Sequence, residues 1–370
     1  MAAGRTTAVV PAWHGDRMIP PNELGLLRLV AQRIAGPAHP TAADSVRALT
    51  AVQAQDYPGA LTSVGLRTTG RRRADVEAAL DEGGVVRSWP MRGTLHLVAG
   101  DDLPWLLELL ASRILAGSTG RRQNLGLTAA DIERARAVAI GALEGGRRLR
   151  RDALLAAFVD GGVEITGQRG YHLLWHLAQT GTLCMGPTEA GQQLFVLLDE
   201  WVPVSRARER SEGLAELALR YFTGHGPASV KDLARWAGLT LGDARAGLAA
   251  VRSRLANLEV DGVEYFLAPE TADRLAAVRD EARGVFLLPG FDEFVLGYGD
   301  RGTVLDPEFA DRIGPGNTGM FRPTVVSDGR IVGTWAWTGR GERRSVTATP
   351  FTRFPADVAS AITDASAALP

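Results

Sequence analysis

The chain has 370 residues, room for two to four domains, and its 45% hydrophobic and 22% charged residues are the balance of a soluble globular protein. No apolar run reaches the length of about eighteen residues that a membrane-spanning helix needs, and MAAGRTTAVVPAWHGDR has no secretion-signal pattern, so a cytoplasmic protein is expected. A net charge of −1 is low for a nucleic-acid binder, and the single cysteine, Cys184, excludes an internal disulfide and argues against a structural zinc cluster.

Leu24, Leu27, Val30 and Ile34 recur at helical spacing and predict a helix over 22–35. A second opens at TAAD, Thr41 to Asp44, a capping-box-like pattern, and runs through Val46 and Leu49 to Gln53 and Gln55 before Pro58-Gly59 breaks it. A short helix over 74–82 ends at Gly83-Gly84, and VVRSWPMRGTLHLV reads as two strands around a turn. The order then returns. TAAD at Thr128 to Asp131 opens a helix to about Leu143, RRDALLAAF and QRGYHLLWHLAQTG follow as helices, and TLCMG with QQLFVLL forms a hairpin. In the third unit LAELALRYF is helical, SVKD and TLGD cap two more helices, and NLEVDGVEYFLA is a hairpin with Asp261-Gly262 at a type I′ turn. After about Arg283 the chain turns to strands, GVFLLP, MFRPTVV, GRIVGTWAW and RRSVTATPF, with a final helix from near Pro355.

Three helices and a two-stranded ribbon make the winged helix-turn-helix plan. The expected class is therefore α+β: three tandem winged helix-turn-helix units in a curved array, closed by a C-terminal β-rich, barrel-like domain. The expected divisions are a flexible N-terminus at 1–17, winged helices at 18–120, 121–203 and 204–282, and the β-rich domain at 283–370. Such an array suits a scaffold that surrounds a DNA duplex; protein–protein assembly is the competing use. All basic residues but Lys231 are arginine, with clusters at Arg67 to Arg73, Gly146 to Arg151 and Gly339 to Arg344. Each alone reads as a solvated face; together they suggest a segregated positive channel.

In the first hairpin, Arg87, Trp89, Met91 and Arg92 surround a turn at Gly93, with Thr94 and His96 on the returning strand. Arginines flanking apolar side chains at a ribbon tip suit contact with a DNA groove. Packing of Trp89 and Met91 on a neighbouring helix is the alternative, and His96 has two open readings, phosphate contact or scaffold cover. On a regular helix, residues i and i+2 point about 200° apart, so Gln53 and Gln55 converge only if the final turn is frayed; otherwise they are surface amides capping helix carbonyls.

Gln53-Ala54-Gln55, WPMRGTLHLV and LLPGFDEFVLGYGDR together resemble the AlkZ family of bacterial winged-helix DNA glycosylases, over essentially the whole chain from near Met18. The family signature is Gln–apolar–Gln, or Gln–apolar–Asp in its YcaQ-type branch. The resemblance implies excision of alkylated purines, including N7-guanine interstrand crosslinks of the azinomycin type, often as self-resistance. It also implies that Gln53 and Gln55 align the hydrolytic water and that the first hairpin lies against DNA. Elementary chemistry agrees: an N7-alkylated purine is already cationic, leaves as a neutral base, and needs a positioned water more than a strong base.

The expected protein is a monomeric glycosylase with no cofactor, no metal and no membrane partner, acting on double-stranded DNA with alkylated or crosslinked purines. A non-catalytic winged-helix regulator or lesion-binding protector is the alternative. Asp56 is read as a helix-end or turn residue. His172 and His176 have zinc-like i, i+4 spacing but no intervening glutamate or third ligand, so one facing inward and one outward is expected. Asp292 and Glu293 are expected to bond loop backbone or arginines of the β-rich region.

Overall fold

A computed structural model describes residues 22–202, 204–339 and 344–370, with the side chain of Asn317 left aside. The expected N-terminal segment 1–17, and residues 340–343 of the third arginine cluster, lie outside the described residues. The fold is mixed α+β, and the helix–helix–helix–hairpin order occurs three times. In the first instance the helices are Ala42–Leu49, Tyr57–Leu66 and Arg73–Asp81; a two-residue strand β1, Val52–Gln53, follows the first of them, and the hairpin is β2, Val85–Met91, with β3, Thr94–Ala99. The second has Ala129–Leu143, Arg151–Asp160 and Arg169–Gln179, then β4, Leu183–Glu189, and β5, Gln192–Leu197. The third has Arg210–His225, Val230–Ala237 and Leu241–Val251, then β6, Ala256–Val260, and β7, Val263–Leu267.

The caps follow from the sequence. Thr128 accepts from Asp131 N–H while the Asp131 carboxylate accepts from Thr128 N–H, and Ser229 and Asp232 repeat the exchange. Asp261 and Gly262 both take positive φ, 51° and 73°, as a type I′ turn requires.

Three departures shape the site. Pro58 does not break a helix; it stands in the first turn of one, where its missing N–H costs nothing. The helix Leu103–Gly117, which the sequence reading passed over, packs its leucines against the first hairpin and the third set of helices. The first two hairpins are not separate wings: β2 pairs with β4 at Arg87 and Met185, giving one antiparallel sheet in the order β1-β3-β2-β4-β5.

The helix Glu23–Ala31 is buried all round, because it docks into the core formed by β6, β7 and the C-terminal strands. Those strands, β8, Val285–Leu288, β9, Thr324–Ser327, β10, Arg330–Thr338, and β11, Ser345–Pro350, form an open sheet in the order β11-β10-β9-β8. The expected barrel is not closed among the described residues; the helix Ala356–Ala367 covers one face instead, through Ile362 against Leu287, Val325 and Trp335.

Candidate active site

The glutamines are not on a helix. Thr50 takes φ 67° and ends the helix Ala42–Leu49, after which the chain is extended and pairs with β3, Val52 opposite Leu97 and Gln53 opposite His96. Ala54 N–H continues the ladder to Leu95 O at 2.8 Å. In extended chain, i and i+2 share a face, so both side chains meet: Gln53 Nε2 donates to Gln55 Oε1 at 2.7 Å. Gln53 is 5% exposed and Gln55 is open to solvent. Thr94 Oγ1 donates to Gln53 Oε1 over a long 3.5 Å.

The backbone beneath the pair is held by charged groups. Glu293 Oε1 accepts from Gln53 N–H at 3.0 Å, and its Oε2 accepts from Trp236 Nε1 at 2.9 Å and His225 Nε2 at 3.3 Å. Glu293 is fully buried. Burial by itself raises its pKa, but the hydrogen bond and field of His225, with the Gln53 N–H, outweigh it and hold the pKa at about 2. Arg87 grips the opposite edge: its Nε and Nη2 both donate to Ala54 O, at 2.9 and 2.6 Å, and Nη1 donates to Gln193 Oε1 at 2.6 Å. Burial lowers its guanidinium to about 10, still protonated near neutrality.

The pair forms one wall of an open cleft of about 540 Å³. Asp56, Arg92 and Thr94 stand beside it, Arg235 and Trp236 come from the helix Val230–Ala237, and Phe291, Arg301, Met320 and Phe321 close the far side. Phe291 adopts φ 62°, a conformation costly for a bulky side chain, and this turn leads Asp292 and Glu293 into the helix Glu293–Leu296 beneath the glutamines.

Several expected residues lie elsewhere than on a DNA-facing surface. Trp89 and Met91 are 4% and 0% exposed: Trp89 packs edge-on to Tyr171, its carbonyl taking Gln179 Nε2 at 2.7 Å, and Met91 joins the core around Leu106. At the tip turn Gly93, φ 70°, is half-buried and its carbonyl takes Trp175 Nε1 at 3.3 Å, while Arg92, φ 52°, stays exposed. His96 is fully buried rather than phosphate-facing. Burial first, then the Arg92 charge, lowers it to about 3; Arg92 donates to its Nε2 at 3.2 Å, so the proton sits on Nδ1, bonded to Thr94 O at 2.8 Å. Arg87 is engaged inside, as described. Arg92 alone of the two arginines reaches the cleft, with its guanidinium bonded to Trp236 O.

Outside the hairpin, three expectations are corrected. Asp292 does bond backbone, accepting from Phe294 N–H at 2.9 Å, but its arginine is Arg67, 2.9 Å from both oxygens and fully buried, so this arginine of the first cluster is neither solvated nor free for phosphate. Glu293 bonds across to β1 and the third set of helices, not to arginines of the β-rich region. His172 and His176 both point inward, 6% and 7% exposed, and no group of three or more metal-ligating side chains occurs among the described residues. Trp236, His225, Arg235 and Arg301 escaped the sequence reading, because nothing local marks residues that meet the glutamines only through the fold.

A family model described as "DNA glycosylase AlkZ-like" matches residues 46–369. The "Interstrand DNA cross-link repair glycosylase" of Streptomyces sahachiroi is 28% identical over 322 residues, 83% of this chain and 85% of that protein. The solved structure of Streptomyces sahachiroi DNA glycosylase AlkZ aligns with a TM-score of 0.77 and 27% identity, covering 95% of this chain and 96% of that one.

Proposed function

The chain belongs to the AlkZ-like family of DNA glycosylases, hydrolases of N-glycosyl bonds, and on that footing we propose that it excises N7-alkylated, cationic purines and unhooks interstrand crosslinks, those of the azinomycin type included. Membership of an enzyme family sets aside the non-catalytic regulator. The relative's crosslink repair supports the crosslink part of the reading. The repeated helix–hairpin units are read as winged helices that carry a monomeric enzyme on duplex DNA.

The observation that carries the proposal is the 2.7 Å bond between the two amides at the cleft wall. With Gln55 Oε1 occupied, Gln53 Oε1, which receives only the 3.5 Å bond from Thr94, is the acceptor for a water at C1′. Gln55 Nε2 is left to donate to that water or to the sugar–phosphate. A neutral amide abstracts no proton, so its role is orientation, which suffices when the base already carries positive charge. Leu296, Met320 and Phe321 give the lesion an apolar wall, while Arg92, Arg235 and Arg301 favour phosphate. An open cleft fits a base tethered to the opposite strand better than the closed pocket of a fully flipped base does.

The test is release of free 7-methylguanine from methylated duplex DNA under single-turnover conditions. Gln53→Ala and Gln55→Ala should each slow release by about 100-fold, the scale of a lost positioning group, without loss of DNA binding. Unchanged release in both variants would remove the glutamines from the mechanism.

A further inference from the structure

We infer that Glu293 and Arg87 form a charged clamp whose function is to position the two glutamines for catalysis, an inference that rests on the glycosylase reading above. Strand β1 has two residues, and one neighbouring strand, β3, gives it a ladder. So short a strand is a weak platform for side chains that must be held to within a fraction of an ångström. The structure compensates with charge. Glu293 takes the N–H of Gln53 on one side, and Arg87 takes the carbonyl of Ala54 with two donors on the other. With Ala54 N–H bonded to Leu95 O, one polar backbone atom is fixed in each of the three successive peptides from Val52–Gln53 to Ala54–Gln55, two of the three by ions. Charge-assisted bonds of this kind are shorter and stronger than neutral ones.

The surroundings are costly to build for a merely structural contact. Glu293 has 0% exposure and is satisfied by Trp236 and His225, themselves buried in an aromatic stack with Tyr221. Arg87 is the residue at which β2 pairs with β4, so the clamp ties the glutamines to the joint between the first and second hairpins. Neither carboxylate nor guanidinium lines the cleft. Both act through the backbone and are positioning residues, not catalytic ones. Glu293 also leaves a negative charge behind the wall where a sugar cation develops, a favourable placement in a low-dielectric interior.

Three variants test this: Glu293→Gln, which keeps size and the acceptor for Gln53 N–H but loses the charge; Arg87→Met, which removes both donors; and Arg87→Lys, which restores one. Single-turnover release of 7-methylguanine and duplex affinity are measured for each, with a thermal melt to establish folding. The clamp predicts a fall of about tenfold or more in the release rate for Glu293→Gln and Arg87→Met, duplex affinity within twofold of the parent, and partial recovery in Arg87→Lys. If Glu293→Gln does not fold, the Arg87 pair carries the test. Parental release rates in Arg87→Met overturn the clamp, as does a loss of affinity at unchanged rate, which would return Arg87 to the DNA surface. A parent protein that releases no base overturns the glycosylase specificity and the clamp with it, an outcome distinct from release that the variants leave untouched.

Discussion

At Thr50 the backbone turns to φ 67°, and within three residues a helix has become a strand; this decides whether Gln53 and Gln55 oppose or meet. The residues themselves were legible in the sequence as an unusual pair. Their convergence was not, because β1 exists only through its pairing with β3, more than forty residues on. The same reason hid Glu293, which reaches Gln53 from 240 positions away. Burial of titratable groups, at this site and elsewhere, has a measurable consequence. His96, lowered from 6.5 to about 3, and His176, lowered to about 4, are neutral when folded; the unfolded chain takes up their protons first. Stability is therefore lost as pH falls through 6.5, and Glu293, lowered from 4.5 to about 2, adds to the loss below 4.5. For His96 alone the fall between pH 6.5 and 4.5 should be roughly 2–3 kcal/mol. Urea unfolding at stepped pH measures it, and a flat profile over that range would mean that His96 is not the buried neutral ring described.

Elements whose signals are local were read correctly: the threonine and serine caps, the Asp261-Gly262 turn and the apolar periodicity of the long helices all depend on neighbours within a few residues. Elements decided by distant partners were not. In the sequence Pro58 is ambiguous between a stop and a first turn, and only the fold shows it opening the helix Tyr57–Leu66. The closing of the C-terminal strands was expected to be a barrel, and alternation alone cannot distinguish a closed sheet from an open one covered by the helix Ala356–Ala367. The helix Glu23–Ala31 shows how far an element can dock from its sequence neighbours. Gly25 lies against the turn between β9 and β10, where a Cβ would stand 1.9 Å from Gly329 O. On an exposed helix Gly→Ala gains up to about 1 kcal/mol. Here Gly25→Ala should instead destabilise by about 1–3 kcal/mol, the cost of overpacking a close contact. A raised melting temperature in that variant would mean that the helix does not pack on the turn.

Over the whole molecule a net charge of −1 conceals local segregation: the cleft beside the glutamines has three arginines and one carboxylate, Asp56, along its lining. The sequence conveyed the arginine excess but not which arginines are consumed internally, as Arg67 and Arg87 are, and which face the cleft. Family membership accounts for the fold and the reaction class; the physical question is how a site with two amides at its wall breaks a glycosidic bond. In the proposed mechanism the lesion contributes the driving force and the protein contributes position. The direct measurement is excision from two duplexes identical but for the damaged base, one holding 7-methylguanine and the other uracil. Rapid release of the cationic base is expected, with no release of the neutral one above background. Comparable rates on both would contradict it, and would point to a proton-transferring group such as Asp56 in place of the oriented water.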